Sequence, residues 1–289
     1  MSGNGDFEDG GTPAPFGRRA LEVVDNHASG GYRLFSLRDP EGPLPKAGQF
    51  YMLAAASRWA EREERPFLPR AFSVADAIDD GGPRLDFLVD EVGPGTERLA
   101  GLRTGERVWA SGPLGTPFSA PAELAPGSAG AVLVGGGIGI APLAILRRQL
   151  AQRGVATRVL LGFRDRKHSG GLEDLFACCE ARLAYEDGHA GHKGYVTDLL
   201  AVLLQGDDAA SAAVYACGPP PMLEAVRALC EGADTACELA LESPMACGFG
   251  ACFGCAVPLA GGGYMRLCVD GPVVRGDRIE TAIVAGSGH

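Results

Sequence analysis

Apolar and polar positions along the chain change rhythm twice. From residue 18 to 118 they alternate in short runs, 32–37, 49–53, 71–74 and 85–89, separated by turns such as Gly30-Gly31, Gly81-Gly82-Pro83 and Gly93-Pro94-Gly95. Short strands at this spacing predict an antiparallel barrel or sandwich. One short helix is expected over 96–102, and the Ala/Pro-rich stretch 119–130 reads as a linker. From Ala131 the pattern becomes a continuous apolar run (131–134) and further strand candidates (158–161, 182–185, 213–216), separated by stretches of helical periodicity (142–153, 221–230). That alternation predicts a doubly wound parallel sheet covered on both faces. After Leu239 comes a compact Cys/Gly-rich module. The expected fold class is therefore multidomain, β plus α/β. Its parts are a disordered tail 1–15, a β-barrel 16–125, an α/β domain 130–239 and a small module 240–289.

Composition narrows the function classes. The chain has 289 residues, 46% hydrophobic and 21% charged, with a net charge of −10. An acidic chain without Lys/Arg runs is a poor match for nucleic acid or anionic membrane. The N-terminal residues lack the basic start and apolar run of a signal peptide, and the apolar stretch 131–146 is too short to span a bilayer. A cytoplasmic location is expected, where thiols stay reduced. The nine cysteines then read as metal ligands or core thiols.

Four cysteines carry the strongest chemical signal. Cys247, Cys252, Cys255 and Cys268 are spaced C-x4-C-x2-C-x12-C, and the first two spacings are those of a plant-type [2Fe–2S] ligand set. A loop wrapping such a cluster must let backbone N–H groups reach sulfur, and Gly248, Gly250, Ala251 and Gly254 supply the small residues for it. The fourth ligand is expected on a strand over 264–269. A structural zinc site or buried thiols are the alternatives, although zinc sites more often pair two C-x2-C knuckles. Cys178, Cys179, Cys230 and Cys237 read as core thiols.

A glycine loop, Gly135-Gly136-Gly137-Ile138-Gly139, lies between an apolar strand and a helix. There a dinucleotide phosphate meets backbone N–H groups and a helix N-terminus. After the next strand, Asp165 suits the ribose of NAD and Arg164 the 2′-phosphate of NADP, so the choice stays open. Cys217-Gly218-Pro219 sets a rigid turn at the sheet's carboxyl edge. In the barrel, Arg70-Ala71-Phe72-Ser73 offers a phosphate fork, a stacking surface and a hydroxyl. A solvated Arg beside a core Phe is the plainer alternative. Gly93-Pro94-Gly95-Thr96 is a second candidate phosphate cradle.

Taken in order, these pieces resemble the ferredoxin-reductase flavoprotein superfamily: an R-x-[YF]-S motif at Arg70–Ser73, a Gly95-Thr96 turn, a Gly112-Pro113-Leu114-Gly115 turn, the glycine loop, and Cys217-Gly218-Pro219 followed by Met222. The segment from Leu241 to Cys255, with Cys268-Val269-Asp270-Gly271-Pro272-Val273, resembles the electron-transfer subunits of type B dihydroorotate dehydrogenases. The resemblance implies FAD, a [2Fe–2S] cluster, NAD as acceptor, and a heterotetramer with an FMN-containing catalytic subunit. It implies FAD contacts at Arg70, Ala71, Phe72, Ser73, Leu88, Val89, Asp90, Gly95 and Thr96. Dinucleotide contacts are expected at Gly135, Gly136, Gly137, Gly139, Cys217 and Gly218, and cluster ligation at the four spaced cysteines. Ala71 stands where that family usually has Pro, and Asp90 where it usually has a basic residue. The charged stretch 54–68 is longer than the resemblance requires and reads as a solvated loop. Two other functions stay open. One is a ferredoxin–NAD(P) reductase-like or hydrogenase-linked subunit, and the other is a redox-sensing or zinc-stabilised binding protein without turnover.

Overall fold

The computed structural model describes residues 17–57, 59, 66–128, 130–170, 172–177, 179–206, 212–284 and 286. The expected N-terminal tail, Arg58, residues 61–65 and Cys178 lie outside them.

The alternating N-terminal half closes into a six-stranded antiparallel barrel. Its strands are β1 (Arg19–Ser29), β2 (Tyr32–Arg38), β3 (Phe50–Ala55), β4 (Arg70–Asp79), β5 (Pro83–Val89) and β6 (Arg107–Leu114), in the order β1-β2-β5-β4-β3-β6. Inward residues such as Leu21, Phe35, Leu53, Phe87 and Val108 are buried. Closure leaves the barrel without an exposed strand edge. A buried ion pair pins the wall: Arg19 donates to Asp39 at 2.5 Å and to the Gly112 carbonyl at 2.7 Å. Helix α1 (Pro94–Ala100) covers one end, two residues earlier than expected because the Gly93 turn admits Pro at the helix start.

The stretch read as a linker is built into the fold. It carries the short helix α2 (Pro121–Leu124), with Leu124 buried. Ser119 Oγ donates to Glu238 at 2.5 Å, and the Ser119 carbonyl accepts from Tyr215 at 3.0 Å. Its Ala/Pro composition reflected tight packing between layers, not a spacer.

The second half is a doubly wound sheet. Its elements are β7 (Gly130–Gly136), α3 (Ala141–Gln152), β8 (Ala156–Phe163), α4 (Arg166–Ser169), β9 (Ala181–Tyr185), β10 (His192–Lys193), α5 (Val196–Leu204), β11 (Ala212–Cys217), α6 (Pro220–Gly232) and β12 (Cys237–Ala240). Strand alternation sorts the faces: Leu133, Leu161 and Tyr215 pack with Leu143 and Leu146 of α3. Val134, Leu160 and Ala216 pack with Leu200 of α5 and Val226 of α6. Helix α3 also docks on the barrel, where Arg148 pairs with Asp76 at 2.5 Å.

The cysteine-rich segment adds the hairpin β13 (Ala256–Pro258) and β14 (Tyr264–Arg266). It then sends β15 (Val273–Arg275) back as an antiparallel edge beside β12, completing the order β10-β9-β8-β7-β11-β12-β15. Cys268 falls in the turn after β14 and not on a strand, contrary to expectation. The strand stops at Arg266 because the Asp270 carboxylate captures the Arg266 N–H at 2.9 Å and turns the chain.

Candidate functional site

Antiparallel pairing of β4 with β5 sets the start of one beside the end of the other, at one rim of the barrel. In the parallel sheet, the chain leaves β7 for β8 on one side, while β11 pairs with β7 on the other. That is a topological switch point, where open α/β sheets bind ligands beyond their carboxyl ends. The barrel rim and the switch point face a common cleft of about 490 Å³.

The cleft is lined by Arg70, Ala71, Phe72, Ser73, Leu88, Asp90, Gly95 and Thr96 from the barrel side, and by Ile138, Gly139, Pro142 and Cys217 from the sheet. The cysteine-rich segment contributes Leu241, Glu242, Ser243, Met245 and Pro272. Val89 is fully buried in the barrel core and does not line the cleft. The Thr96 hydroxyl accepts from the N–H groups of Val92 and Gly93 at 3.0 and 3.1 Å. It therefore shapes the turn that presents Gly95. Arg70 donates to the Leu68 carbonyl at 2.7 Å, which anchors one corner of the guanidinium.

Each glycine of the sheet loop has its own reason. A Cβ on Gly139 would lie 2.6 Å from the Gly218 Cα, and one on Gly136 would lie 2.6 Å from the Met222 sulfur. Gly135 is crowded by Ile140, Leu143 and Leu161. Gly137 alone of these combines a left-handed φ of 52° with open space beside it. The β7 and β11 turns thus meet backbone to backbone, at the strand-to-helix junction where dinucleotide phosphates bind in such sheets. Cys217 pairs in register with Gly135. Burial pushes its thiol well up, and the charge of Glu242 adds to the effect.

The cysteine loop is built differently. Cys255 and Cys268 are buried with their sulfurs 3.3 Å apart, while Cys252 is exposed. Backbone N–H groups point at sulfur: Gly250 to Cys268 at 3.2 Å, Gly254 to Cys252 at 3.5 Å and Cys268 to Cys255 at 3.5 Å. At Cys247, burial opposes ionisation, but N–H groups of Cys252, Phe249 and Ala251 and the Cys252 thiol outweigh it, bringing the thiol down to about 6. Burial and the neighbouring Cys255 push Cys268 up to about 12. Left-handed φ values at Gly248 and Gly250 (77° and 82°) make the wrap possible. Among the described residues no three His, Cys, Asp or Glu side chains converge into a ready metal-ion site. The fit of a thiolate-bound cluster therefore stands on the donor set: paired sulfurs, N–H groups aimed at them and a loop small enough to enclose them.

A family model for the iron-sulfur cluster binding domain of dihydroorotate dehydrogenase B matches residues 242–280, which hold all four cysteines. An oxidoreductase NAD-binding domain model matches 133–228. The chain is 40% identical over 240 residues to the dihydroorotate dehydrogenase B (NAD(+)) electron transfer subunit of Bacillus caldolyticus, covering 82% of this chain and 87% of that one. The chain belongs to this family of electron transfer subunits. The subunit of Geobacillus thermodenitrificans is 34% identical, with 91% and 98% covered. Among solved structures, an NADH-dependent reduced ferredoxin–NADP oxidoreductase superposes with a TM-score of 0.76 at 24% identity, with 90% of each chain covered. Phthalate dioxygenase reductase superposes at 0.58 and 18%, with 92% of this chain and 96% of that one covered. Both show the fold.

Within this electron transfer subunit, sequence reasoning missed Arg266. Its guanidinium donates to the Gly250 carbonyl at 3.2 Å and stacks over Phe253 at 5.2 Å, closing the cysteine loop. Position was the available signal, because Arg266 stands two residues before Cys268. The reach of Leu241, Met245 and Pro272 into the cleft had no local signal, since it depends on β15 returning to the sheet. Among the described residues no helix is long and apolar enough to cross a membrane.

Proposed function

We propose that the chain is an electron conduit. It takes electrons from an FMN-containing dihydroorotate dehydrogenase catalytic subunit, through a [2Fe–2S] cluster and FAD, and delivers them to NAD⁺ in pyrimidine biosynthesis. The observation that carries this reading is the shared cleft, where the barrel rim, the switch point of the sheet and the cysteine-rich segment meet. FAD, when bound, supplies the junction between one-electron and two-electron chemistry.

The protein's own groups divide the work. Arg70 provides the fork for the flavin diphosphate, and the Gly95 turn lets it approach backbone. Phe72 offers an apolar face, Ala71 and Ser73 form the wall, and Leu88, Val89 and Asp90 give the adjoining strand end. Gly135, Gly136, Gly137 and Gly139, with the start of α3, receive the NAD pyrophosphate. Cys217 stays a neutral thiol beside Gly218, where the nicotinamide would enter, and Glu242 closes that side. Cys247, Cys252, Cys255 and Cys268 hold the cluster, and the N–H groups directed at their sulfurs tune its potential.

The exposed side of the cysteine loop supports a partner. Phe249 and Phe253 are 70% and 61% exposed, flanking exposed Cys252, and exposed aromatics are enriched where proteins dock. We assign the catalytic subunit to this face, within a cytoplasmic heterotetramer. Purification with the companion subunit tests the reading. A yellow-brown complex that reduces NAD⁺ with dihydroorotate is expected, and a colourless, zinc-loaded chain would overturn it.

A further inference from the structure

Trp59 lies in the charged stretch that the sequence assigns to solvent, yet it packs against the barrel core. Its neighbours explain where it sits. An ideal Cβ on Gly95 would lie 3.0 Å from Arg70 Nε, 3.2 Å from Arg70 Cζ and 3.3 Å from Trp59 Cη2. The edge of the indole, the guanidinium of Arg70 and the backbone of Gly95 therefore converge on the space of a single methyl group. Gly95 and Arg70 both line the cleft.

Trp59 Nε1 is buried and has no hydrogen-bond partner among the described residues. Buried indole N–H groups usually find a partner, and leaving one unpaired carries a desolvation cost. A chain that accepts this cost gains a rigid wall. Arg70 is held by the Leu68 carbonyl, which takes Nη1 at 2.7 Å, and the indole edge borders the same point beside Gly95 that its Nε and Cζ approach. A flexible guanidinium fixed in this way binds an anion with less ordering cost.

We propose that Trp59 is a positioning residue for the diphosphate end of the flavin site, acting through Arg70 and Gly95. The proposal rests on the reading that the cleft takes FAD. It assigns to Trp59 no contact with the isoalloxazine ring, which fixes the shape of its test.

The test titrates the full-length apoprotein with FAD and, separately, with riboflavin, which has the ring but no diphosphate. Trp59→Leu, Trp59→Phe, Arg70→Ala and the Trp59→Leu/Arg70→Ala pair are compared, with Trp109→Phe as a control in the other tryptophan. Trp59→Leu is expected to raise the FAD dissociation constant about tenfold, the order of one weakened charge-assisted hydrogen bond. Riboflavin affinity should stay unchanged, and Trp59→Phe, which keeps a ring against Gly95, should retain most of the FAD affinity. Trp59→Leu should add little once Arg70 is Ala, because coupled residues are not additive. Equal weakening of FAD and riboflavin, full additivity with Arg70→Ala, or no change would overturn the proposal. If Trp59→Leu does not fold, Trp59→Met, which keeps apolar bulk but removes the rigid ring edge from beside Gly95, takes its place. FAD-selective weakening is then expected, and unchanged affinity counts against Trp59. A wild-type apoprotein that binds no FAD would instead overturn the flavin reading itself.

Discussion

At the carboxyl edge of the sheet, Gly135, Gly136 and Gly139 stand where a Cβ would strike neighbouring protein atoms. They are held by strands paired on both sides. In the cysteine loop, residues 241–255 run without regular secondary structure. That loop keeps its course through N–H groups directed at sulfur, a thiol pair and the clamp of Arg266. The first site is shaped by the fold and needs no ligand to exist. The second is shaped by its sulfurs and the N–H groups around them, the kind of site at which metal binding and loop order are linked. The lesson is that one chain builds two candidate cofactor sites in different ways, one from paired strands and one from a loop without regular secondary structure.

The strongest way to break this contrast is Cys268→Ser. Complete loss of [2Fe–2S] absorbance and of iron is expected, while NADH still reduces the bound flavin. Iron content and anaerobic titration check it; loss of flavin reduction together with iron would tie the two sites into one. Gly139→Ala attacks the other side. Its methyl meets backbone that cannot move aside, and overpacking of this kind costs about 3 kcal/mol. Urea unfolding should show the loss, and NADH reduction should weaken while the iron signal persists.

Glu224 tests the tether between the two regions. On α6 it pairs with Arg227 and accepts from Thr281 Oγ1 and the Ala282 N–H, near the end of the cysteine-rich module. The Arg227 bond leads, burial opposes, and the carboxyl falls to about 2 from 4.5. A depressed carboxylate stabilises above its unfolded pKa, and that stability drains as pH falls from about 4.5 toward 2. About 2 kcal/mol is at stake once solvent screening is allowed for. Glu224→Gln should lower stability at neutral pH and flatten the acid limb of the stability–pH curve. An unchanged limb would remove the tether from the account. The smallest effect is expected from Arg266→Ala, which removes one hydrogen bond, one cation–π contact and the partly exposed ion pair with Asp270, worth about 1 kcal/mol together. Iron should leave the loop faster under chelation, with the sheet's unfolding midpoint unchanged.

Much of this contrast was legible in the residues. Cysteine spacing and the strand–glycine–helix pattern named both sites because each depends on local chemistry. What escaped depends on distant partners. Strand β1 was not singled out because a bulge between Val23 and Asp25 breaks its alternation. Gly112 and Pro113 interrupt β6 in the same way. The segment Val196–Leu204, which forms α5, is apolar almost throughout, and such a run has no period to distinguish helix from strand. Strand β12 carries Glu238, a residue that reads as solvent-facing until Ser119 arrives from the barrel to bond it. A strand over 264–269 is the expected carrier of Cys268, to close the cysteine loop, and Asp270 makes a turn there instead.

The central claim is that electrons reach NAD⁺ through this chain and through its cluster. Its most direct test mixes the purified holoprotein with the FMN-containing catalytic subunit, dihydroorotate and NAD⁺, and follows NADH at 340 nm, the usual absorbance of reduced nicotinamide. NADH is expected only when both subunits are present, and Cys268→Ser should abolish it while flavin remains bound. NADH formation without this chain, or full activity in the iron-free variant, would contradict the account.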